Sequence, residues 1–278
     1  MRYFTAKLLT IILIASFLLL FSCAQPASQP VTPPASPPND AATPSSDLPN
    51  AVIIDQLCVL QPNQAFLNQL TQELEDYGFE VDLYQGDEIT VDLYRNLPDL
   101  DYKLIIFRAH SGLLSGQGEV VNKTSLFTNE PYSETKHIKE QLSDQLARAR
   151  IDKNHPYVFS IRDKFITQSM KGEFNNTVII MMGCSCLHIE DLARAFIDQG
   201  ASAYLAWDAT VDLGYVDKAT PYLMEQLCAN NLTVKKAVSN TMNTIGPDPL
   251  YGARLKYFPP QSADKTLEEL LNLQGAAS

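Results

Sequence analysis

Residues 104 to 112 read LIIFRAHSG, and residues 178 to 186 read VIIMMGCSC. Each stretch begins with an apolar run of the length of a short strand, which leads to a histidine or cysteine within two residues of a glycine. Continuous apolar runs are typical of strands that are buried on both faces of a parallel sheet. In such sheets, sites form outside the carboxyl ends of the strands. The two stretches therefore predict that His110 and Cys184 lie at the same edge of one sheet.

The segments around these two stretches alternate between strand and helix patterns. We predict further strands over 51–55, 80–84 and 203–207, and helices over 66–77, 89–97, 189–198, 215–229 and 232–244. This alternation implies an α/β fold, a three-layer sandwich with a mainly parallel central sheet and helices on both faces. The polar residues 113–175 are the least regular part, and we expect an insertion near the site with helical character from 132 to 150.

The N-terminal 22 residues have the pattern of a secretory signal. Arg2 and Lys7 precede an apolar run from Leu8 to Phe21 that is short for a membrane span. The residues from Leu20 to Cys23 resemble the bacterial lipobox, in which the cysteine is lipidated. The resemblance implies a lipid anchor at Cys23 and an extracytoplasmic position on the bacterial cell membrane. An uncleaved anchor and a chance cysteine are the alternatives.

A linker and one domain follow the signal. Residues 23–50 contain the predicted lipidated cysteine and eight prolines, without apolar periodicity, which predicts an extended spacer. Residues 51–278 suit one α/β domain. The formal net charge of the whole chain is −11, and removal of a signal without acids makes it more negative. With no clustered Lys/Arg stripe, this charge argues against nucleic acid or anionic lipid as a partner.

The domain has four cysteines, at positions 58, 184, 186 and 228, which are too few for a disulfide scaffold. Zinc is an alternative, but Cys184 and Cys186 lack the usual spacing, and no second close pair completes four ligands. We therefore expect no metal and no organic cofactor.

A thiolate attacks carbonyl carbon, and a nearby imidazole takes the thiol proton and later protonates the leaving amine. Cys184 and His110 satisfy the topological requirement for such a pair. Gly112 and Gly183 would let a substrate backbone approach closely. The backbone N–H groups of Gly112 and Cys184 are candidates for an oxyanion hole.

These two motifs resemble the caspase-like fold of clan CD cysteine peptidases, and most closely its CHAT branch, which is related to separase. The family pattern is a strand ending in His-Gly or His-Ser-Gly, followed by a strand ending in a small residue and Cys. The similarity continues through DLARAF at 191–196 and LAW at 205–207. The resemblance implies that Cys184 is the nucleophile and His110 the general base. It departs from the commonest pattern at Ser111, which separates His110 from glycine.

Other roles for the cysteines and histidines stay open. Cys184 has the alternative of a structural buried thiol, and Cys186 is best interpreted as a small buried thiol. A disulfide between them would be strained and would switch a peptidase off. The remaining histidines, His137, His155 and His188, are weaker candidates for the base, and we expect the first two to be solvated.

The predicted substrate-binding residues are Asp208, Trp207 and Asp55. In caspases, the Trp-bearing strand supplies an arginine that recognises an acidic P1 side chain, whereas here Trp207 is followed by Asp208 and later by Asp212. A carboxylate in the pocket would favour Arg or Lys at P1. Solvated loop carboxylates are the alternative.

The sequence thus predicts a membrane-tethered, extracytoplasmic cysteine endopeptidase that acts on a protein or peptide. The alternatives are a catalytically inactive CHAT-type module that binds protein or peptide at the same edge, and a structural envelope lipoprotein.

Overall fold

The structure of the chain, a computed structural model, describes residues 48–116 and 119–273. The strands in this part are β1 (Asn50–Asp55), β2 (Glu80–Gln85), β3 (Leu104–Arg108), β4 (Ser111–Gly116), β5 (Glu119–Pro131), β6 (Leu146–Ala149), β7 (Val158–Ile161), β8 (Thr177–Met181), β9 (Ala201–Trp207) and β10 (Leu255–Phe258). The α-helices are α1 (Gln64–Tyr77), α2 (Val91–Asn96), α3 (Ile138–Leu142), α4 (Asp163–Ser169), α5 (Asp191–Asp198), α6 (Leu213–Leu227), α7 (Val234–Thr244) and α8 (Leu267–Leu271). The predicted signal, Cys23 and most of the linker lie outside the described residues.

The central sheet has six strands in the order β10-β9-β8-β3-β1-β2. All neighbours in it are parallel except β10, which runs antiparallel to β9. The prediction of a mainly parallel sheet is confirmed. The prediction that residues 80–84 lie near a sheet edge is also confirmed, because β2 is the last strand on its side.

Both faces of this sheet are covered, as its apolar strands require. Alternate residues of each strand enter two separate apolar cores, for example Ile106 on one face and Phe107 on the other. Helices α1, α6, α7 and α8 contribute to the first core, which we call core A. Helices α2, α4 and α5 contribute to the second, core B. The three-layer α/β sandwich expected from the sequence is therefore confirmed.

Residues 111–161 contain a second, four-stranded antiparallel sheet in the order β4-β5-β7-β6. Its buried side chains, such as Leu126 and Phe159, pack into core B. The prediction of helical character from 132 to 150 is wrong for most of that range, because only α3 is helical and β6 follows it. Pairing of β6 with the following strand β7 determines the conformation of this stretch, and such pairing overrides weak local propensity.

Two further differences concern the start of α5 and an additional strand. Helix α5 begins at Asp191 and not at Ile189, because residues 184–188 form a turn after β8. Strand β10 was not predicted, and it extends the sheet beside β9. Helix α1 ends as expected at Gly78, whose φ of 108° places it in the left-handed region.

Candidate active site

His110 and Cys184 follow neighbouring strands of the central sheet. Strands β3 and β8 pair in parallel, with Phe107 opposite Met181. The Met182 N–H donates to the Phe107 carbonyl over 2.9 Å, so the two chains leave the sheet side by side. Each candidate residue lies three positions beyond this last register pair. The sheet therefore brings both residues to its carboxyl edge.

Direct contacts join the two segments beyond the strand ends. The Ser111 hydroxyl donates to the Cys184 carbonyl oxygen over 2.9 Å. A Cβ on Gly183 would overlap the Ser111 hydroxyl and lie 2.5 Å from the Ala109 carbonyl oxygen. The expectation that Gly183 leaves room for a substrate backbone is therefore wrong. Its missing side chain instead leaves room for the segment that carries His110.

The turn that follows β8 is held by the loop after β9. The Ser185 N–H donates to the Ala209 carbonyl, and the Leu187 N–H donates to the Trp207 carbonyl, both over 2.9 Å. Ser185 itself has a φ of 56°, in the left-handed region that few non-glycine residues adopt. This conformation turns the chain sharply between Cys184 and Cys186.

The Cys184 thiol is half-buried and packs against core A. Its sulfur lies 3.5 Å from the Val211 N–H, which donates to it, and 3.6 Å from the Val211 carbonyl oxygen. Burial raises the pKa of this thiol, and the Asp248 carboxylate raises it further, against the effect of the Val211 N–H. The free side chain is therefore a neutral thiol at pH 7 and not a preformed thiolate.

Cys186 lies in a different environment. It is fully buried in core B, and its thiol donates to the Ser111 hydroxyl over 2.8 Å. Burial raises its pKa to about 12. All cysteines in the described part of the chain are free. The two thiols pack into different cores, so a Cys184–Cys186 disulfide would require the turn to rearrange.

The His110 imidazole is half-buried beside the second sheet. Its ring centroid lies 5.9 Å from that of Phe127, and its backbone N–H donates to the Gln56 side-chain oxygen over 2.9 Å. Its ring nitrogens have no hydrogen-bond partner, the Cys184 thiol included, among residues 48–116 and 119–273. Burial lowers its pKa to about 4, and the neighbouring His155 lowers it as well. The imidazole is neutral at pH 7 and able to accept a proton.

The other three histidines each have a polar partner. His137 lies 3.0 Å from Glu130, His155 lies 2.9 Å from Asp152, and the His188 ring lies 3.1 Å from the Asp208 carbonyl oxygen. The His137 ring also packs edge-on against Phe159, so this residue is less solvated than expected.

The carboxylates predicted to bind substrate are engaged within the protein. Asp55 has no exposed surface and accepts hydrogen bonds from Arg108 and Gln85. Asp208 accepts from the Arg254 N–H and forms a 2.9 Å ion pair with Lys256.

Trp207 is 2% exposed and packs edge-on against Tyr215 in core A. Asp212 caps helix α6 by accepting from the Tyr215 N–H. Of these predicted binding residues, Asp208 keeps a partly exposed carboxylate near the turn.

A buried ion network lies beside the site and was not predicted. The Arg108 guanidinium donates to both oxygens of Asp217 and to Asp55, each over 2.8 Å, and lies over the Phe66 ring. Arg108 is fully buried, and opposite charges with good hydrogen bonds are what such burial requires. The network ties the end of β3 to β1 and α6. A charged residue at the end of an apolar strand is the sequence signal for it.

The two candidate oxyanion donors differ. The Cys184 N–H has no acceptor in the part of the chain that the structure describes. Gly112 lies opposite Ser125 in the antiparallel pairing of β4 with β5. Because hydrogen-bonded pairs recur every second residue, and the Phe127 N–H donates to the His110 carbonyl, Gly112 is at the next such pair. The Gly112 N–H is therefore engaged in strand pairing and is less available to an oxyanion.

Two adjoining cavities flank the second sheet. One has a volume of about 300 Å³ and includes Gln56 and His155, and the other has a volume of about 440 Å³ and includes Gly112. They share Phe127, Arg150 and Ile151. We call the two cavities together the groove, which includes Gly112, two residues after His110.

Comparisons with known proteins give fold-level likenesses. The Arg-specific cysteine proteinase gingipain R matches at a TM-score of 0.44 and 13% identity, over 71% of this chain and 42% of the gingipain chain. A flavodoxin from Streptococcus pneumonia TIGR4 matches at a TM-score of 0.30 and 11% identity, over 65% of this chain and 98% of the flavodoxin. No protein-family model matches, and no curated protein matches. Neither likeness assigns an activity to this chain.

Within 48–116 and 119–273, no group of three or more His, Cys, Asp or Glu side chains is arranged to hold a metal ion. None of the helices in that part is both long and apolar enough to cross a membrane.

Proposed function

We propose that the chain is a cysteine peptidase in which Cys184 is the nucleophile and His110 the general base. The observation that carries this proposal is the contact between the two strand ends, where the Ser111 hydroxyl binds the Cys184 carbonyl. That contact fixes the backbone of the thiol next to the backbone of the imidazole.

The proposed reaction starts from a neutral pair. The raised pKa of the Cys184 thiol and the lowered pKa of His110 disfavour a resting thiolate–imidazolium pair. Proton transfer to His110 therefore accompanies the attack of sulfur on the carbonyl carbon. The tetrahedral intermediate collapses with cleavage of the C–N bond, and the imidazolium protonates the leaving amine. Water, deprotonated by His110, then hydrolyses the thioester and restores the thiol.

This sequence requires the imidazole to move from Phe127 towards Cys184. Catalytic hydrogen bonds are often long or absent without substrate and tighten in the complex. The His110 ring makes no hydrogen bond that would oppose the rotation within the described residues. The Cys184 N–H is the stronger oxyanion donor in the proposal, because it is free of an acceptor in the described part. Gly112 contributes only where the end of the β4 pairing opens.

The proposed substrate is a peptide segment that lies across the strand ends. A preference for Arg or Lys at P1 rests on Asp208, whose partner Lys256 has a side chain 56% exposed. Exposed ion pairs contribute little free energy, so a substrate cation can replace Lys256 at small cost. Asp55 and Trp207 are buried, and their proposed part is to support the site from beneath.

A thiol-reactive peptidyl acyloxymethyl ketone tests the proposal. We expect labelling of the wild-type chain under reducing conditions, no labelling of Cys184→Ala, and retained labelling of Cys186→Ala. A warhead series with Arg, Asp or Leu at P1 reports the preference. Labelling that persists in Cys184→Ala, or that is absent with every peptide, contradicts the peptidase.

The second candidate is a non-catalytic CHAT-type module that binds peptide at the same edge. The missing hydrogen bond between His110 and the Cys184 thiol favours it. Peptide binding by Cys184→Ala with wild-type affinity, together with no hydrolysis and no labelling of the wild type, would support this module.

We also propose that the protein is a lipoprotein held at an extracytoplasmic membrane face through Cys23. The support is the sequence from residue 1 to residue 50 alone, with its signal pattern and proline-rich spacer. We expect the expressed chain to partition with membranes, and Cys23→Ser to release it. Membrane association that survives Cys23→Ser contradicts the anchor.

A further inference from the structure

The larger cavity of the groove has a polar floor. Gly112 and Ser125 face each other across β4 and β5 at its base. A Cβ on Gly112 would meet nothing within 4 Å, so there is open space at this position beside Ser125.

The Ser125 hydroxyl is an unpaired group at this floor. Ser125 is fully buried, and its oxygen has no hydrogen-bond partner among residues 48–116 and 119–273. Side chains alternate between the two faces of a strand. Leu126 enters core B, so Ser125 and Phe127 face the other way, and both line the cavity. Buried hydroxyls normally have a partner, and a ligand in the cavity would supply one here.

The walls of the cavity are cationic. Arg148, Arg150 and Lys153 line it, and none of them forms an ion pair within the described part of the chain. The guanidinium carbons of Arg148 and Arg150 lie 5.1 Å and 4.6 Å from the Tyr157 ring centroid.

This concentration of positive charge is unusual for a chain with a net charge of −11. Asp152 is an acidic residue of the same wall, and its carboxylate is bonded to His155. The remaining charge of the wall is positive, and it is available to an anion that enters from solvent.

We propose that this cavity binds the carboxylate of an Asp or Glu side chain of the peptide substrate, close to the bond that is cleaved. The assignment deepens the proposed peptidase function and rests on it for the location of the scissile bond. Gly112 lines the cavity and lies two residues after His110, so a peptide bound at Cys184 and His110 would lie near the cavity. Arginine binds carboxylate through paired N–H groups, and the Ser125 hydroxyl adds one donor.

Matched peptides test the subsite. Labelled octapeptides are made in pairs, and the two members of a pair differ only by Glu or Gln at one position. Each peptide is titrated against the full-length Cys184→Ala chain, and binding is read by fluorescence anisotropy. At one position we expect Glu to bind about 10-fold more tightly than Gln, the ratio that one charge-assisted contact gives. Arg150→Glu should remove or invert this ratio, and Ser125→Ala should reduce it about 3-fold.

Lys236→Glu is the matched control, because it makes the same charge change on an exposed residue of α7 away from the cavity. It should leave the Glu-to-Gln ratio unchanged. An equal loss in Lys236→Glu, or no Glu preference at any position, overturns the subsite. Tighter binding of a phosphoserine peptide than of the Glu peptide would overturn the assignment to a carboxylate.

The two proposals fail separately. A Glu preference that depends on Arg150, without any hydrolysis by the wild type, supports the subsite and removes the peptidase. Hydrolysis by the wild type with the same kcat/KM for Glu and Gln peptides keeps the peptidase and removes the subsite.

Discussion

Cys184 and Cys186 are two residues apart, yet the turn after β8 places them in two different environments. Cys184 is half-buried, packs against core A, and contacts the loop that carries Val211. Cys186 is fully buried in core B, beneath the Ser111 hydroxyl. Both pKa values are raised by burial, so pKa does not distinguish a nucleophile from a structural thiol here.

What distinguishes the two thiols is access and the neighbouring backbone. In the described part of the chain, the Cys184 N–H has no acceptor. Cys184 also lies at the sheet edge beside the residues that carry His110. Cys186 has no exposed surface. The difference arises from the left-handed Ser185, which reverses the chain between them. Spacing alone therefore does not decide which of the two cysteines is accessible.

Alanine substitution of each cysteine in turn should give the largest difference between the two positions. We expect Cys184→Ala to lower the peptide hydrolysis rate by roughly 10³-fold or more, since removal of a nucleophile leaves only binding and electrostatic contributions. Cys186→Ala should stay within about 3-fold of the wild type, because its thiol does not reach substrate. Initial rates on one fluorogenic peptide measure both. Equal losses in the two variants would contradict the assignment.

The pH dependence of stability tests the buried environment of His110, the proposed partner of Cys184. The imidazole has a pKa of about 4 in the folded chain and an ordinary value of 6.5. The unfolded state therefore binds the proton first as pH falls, and stability is lost between about pH 6.5 and pH 4. The loss attributable to His110 is up to about 3 kcal/mol.

Urea denaturation of the wild type and His110→Gln, each at pH 7 and pH 4, isolates this contribution. The variant should lose less stability on acidification than the wild type. The acid limb of kcat/KM should likewise have a midpoint near the lowered pKa of about 4. A midpoint at the ordinary histidine value would show that His110 is solvated, and would contradict its position beside Phe127.

Gly183→Ala tests the packing of Ser111 against the turn that carries both cysteines. The new Cβ would overlap the Ser111 hydroxyl and the Ala109 carbonyl. Overpacking of this kind should reduce the free energy of unfolding by about 2 kcal/mol. Gly112→Ala is the control, because its Cβ meets open space, and its stability should change by less than about 0.5 kcal/mol. Equal stability of the two variants in urea would rule out the close contact.

Ser111→Ala gives the smallest expected change. It removes the hydrogen bonds to the Cys184 carbonyl and from the Cys186 thiol. An ordinary hydrogen bond contributes about 1 kcal/mol, and the bond from the thiol adds little because a thiol is a weak donor, so we expect about 1 kcal/mol lower stability and a several-fold lower kcat/KM. Ser111→Thr, which keeps the hydroxyl, should recover part of the rate. A rate unchanged by either substitution would mean that Ser111 does not position Cys184.

The sequence predicts the central sheet better than the second sheet for a physical reason. Strands β3 and β8 are buried on both faces, so each is a continuous apolar run that local pattern reveals. Strand β6 is half exposed and short, and its conformation depends on pairing with β7, which local pattern does not contain. The predicted helix from 132 to 150 failed at that point.

The candidate site shows the same limit. Topology from the sequence brings His110 and Cys184 to one edge, since parallel neighbours share a carboxyl end. The contacts of Ser111 and the buried Arg108–Asp217 pair join residues that are far apart in the chain. Such contacts depend on packing, and no local periodicity signals them.

A crystal structure of the chain with a peptidyl aldehyde bound is the most direct test of the proposed Cys184–His110 pair. We expect a thiohemiacetal on Cys184, with the His110 ring rotated from Phe127 to hydrogen-bonding distance of the sulfur or the new oxygen. An adduct on another cysteine, or an adduct on Cys184 with His110 still packed against Phe127, would contradict it.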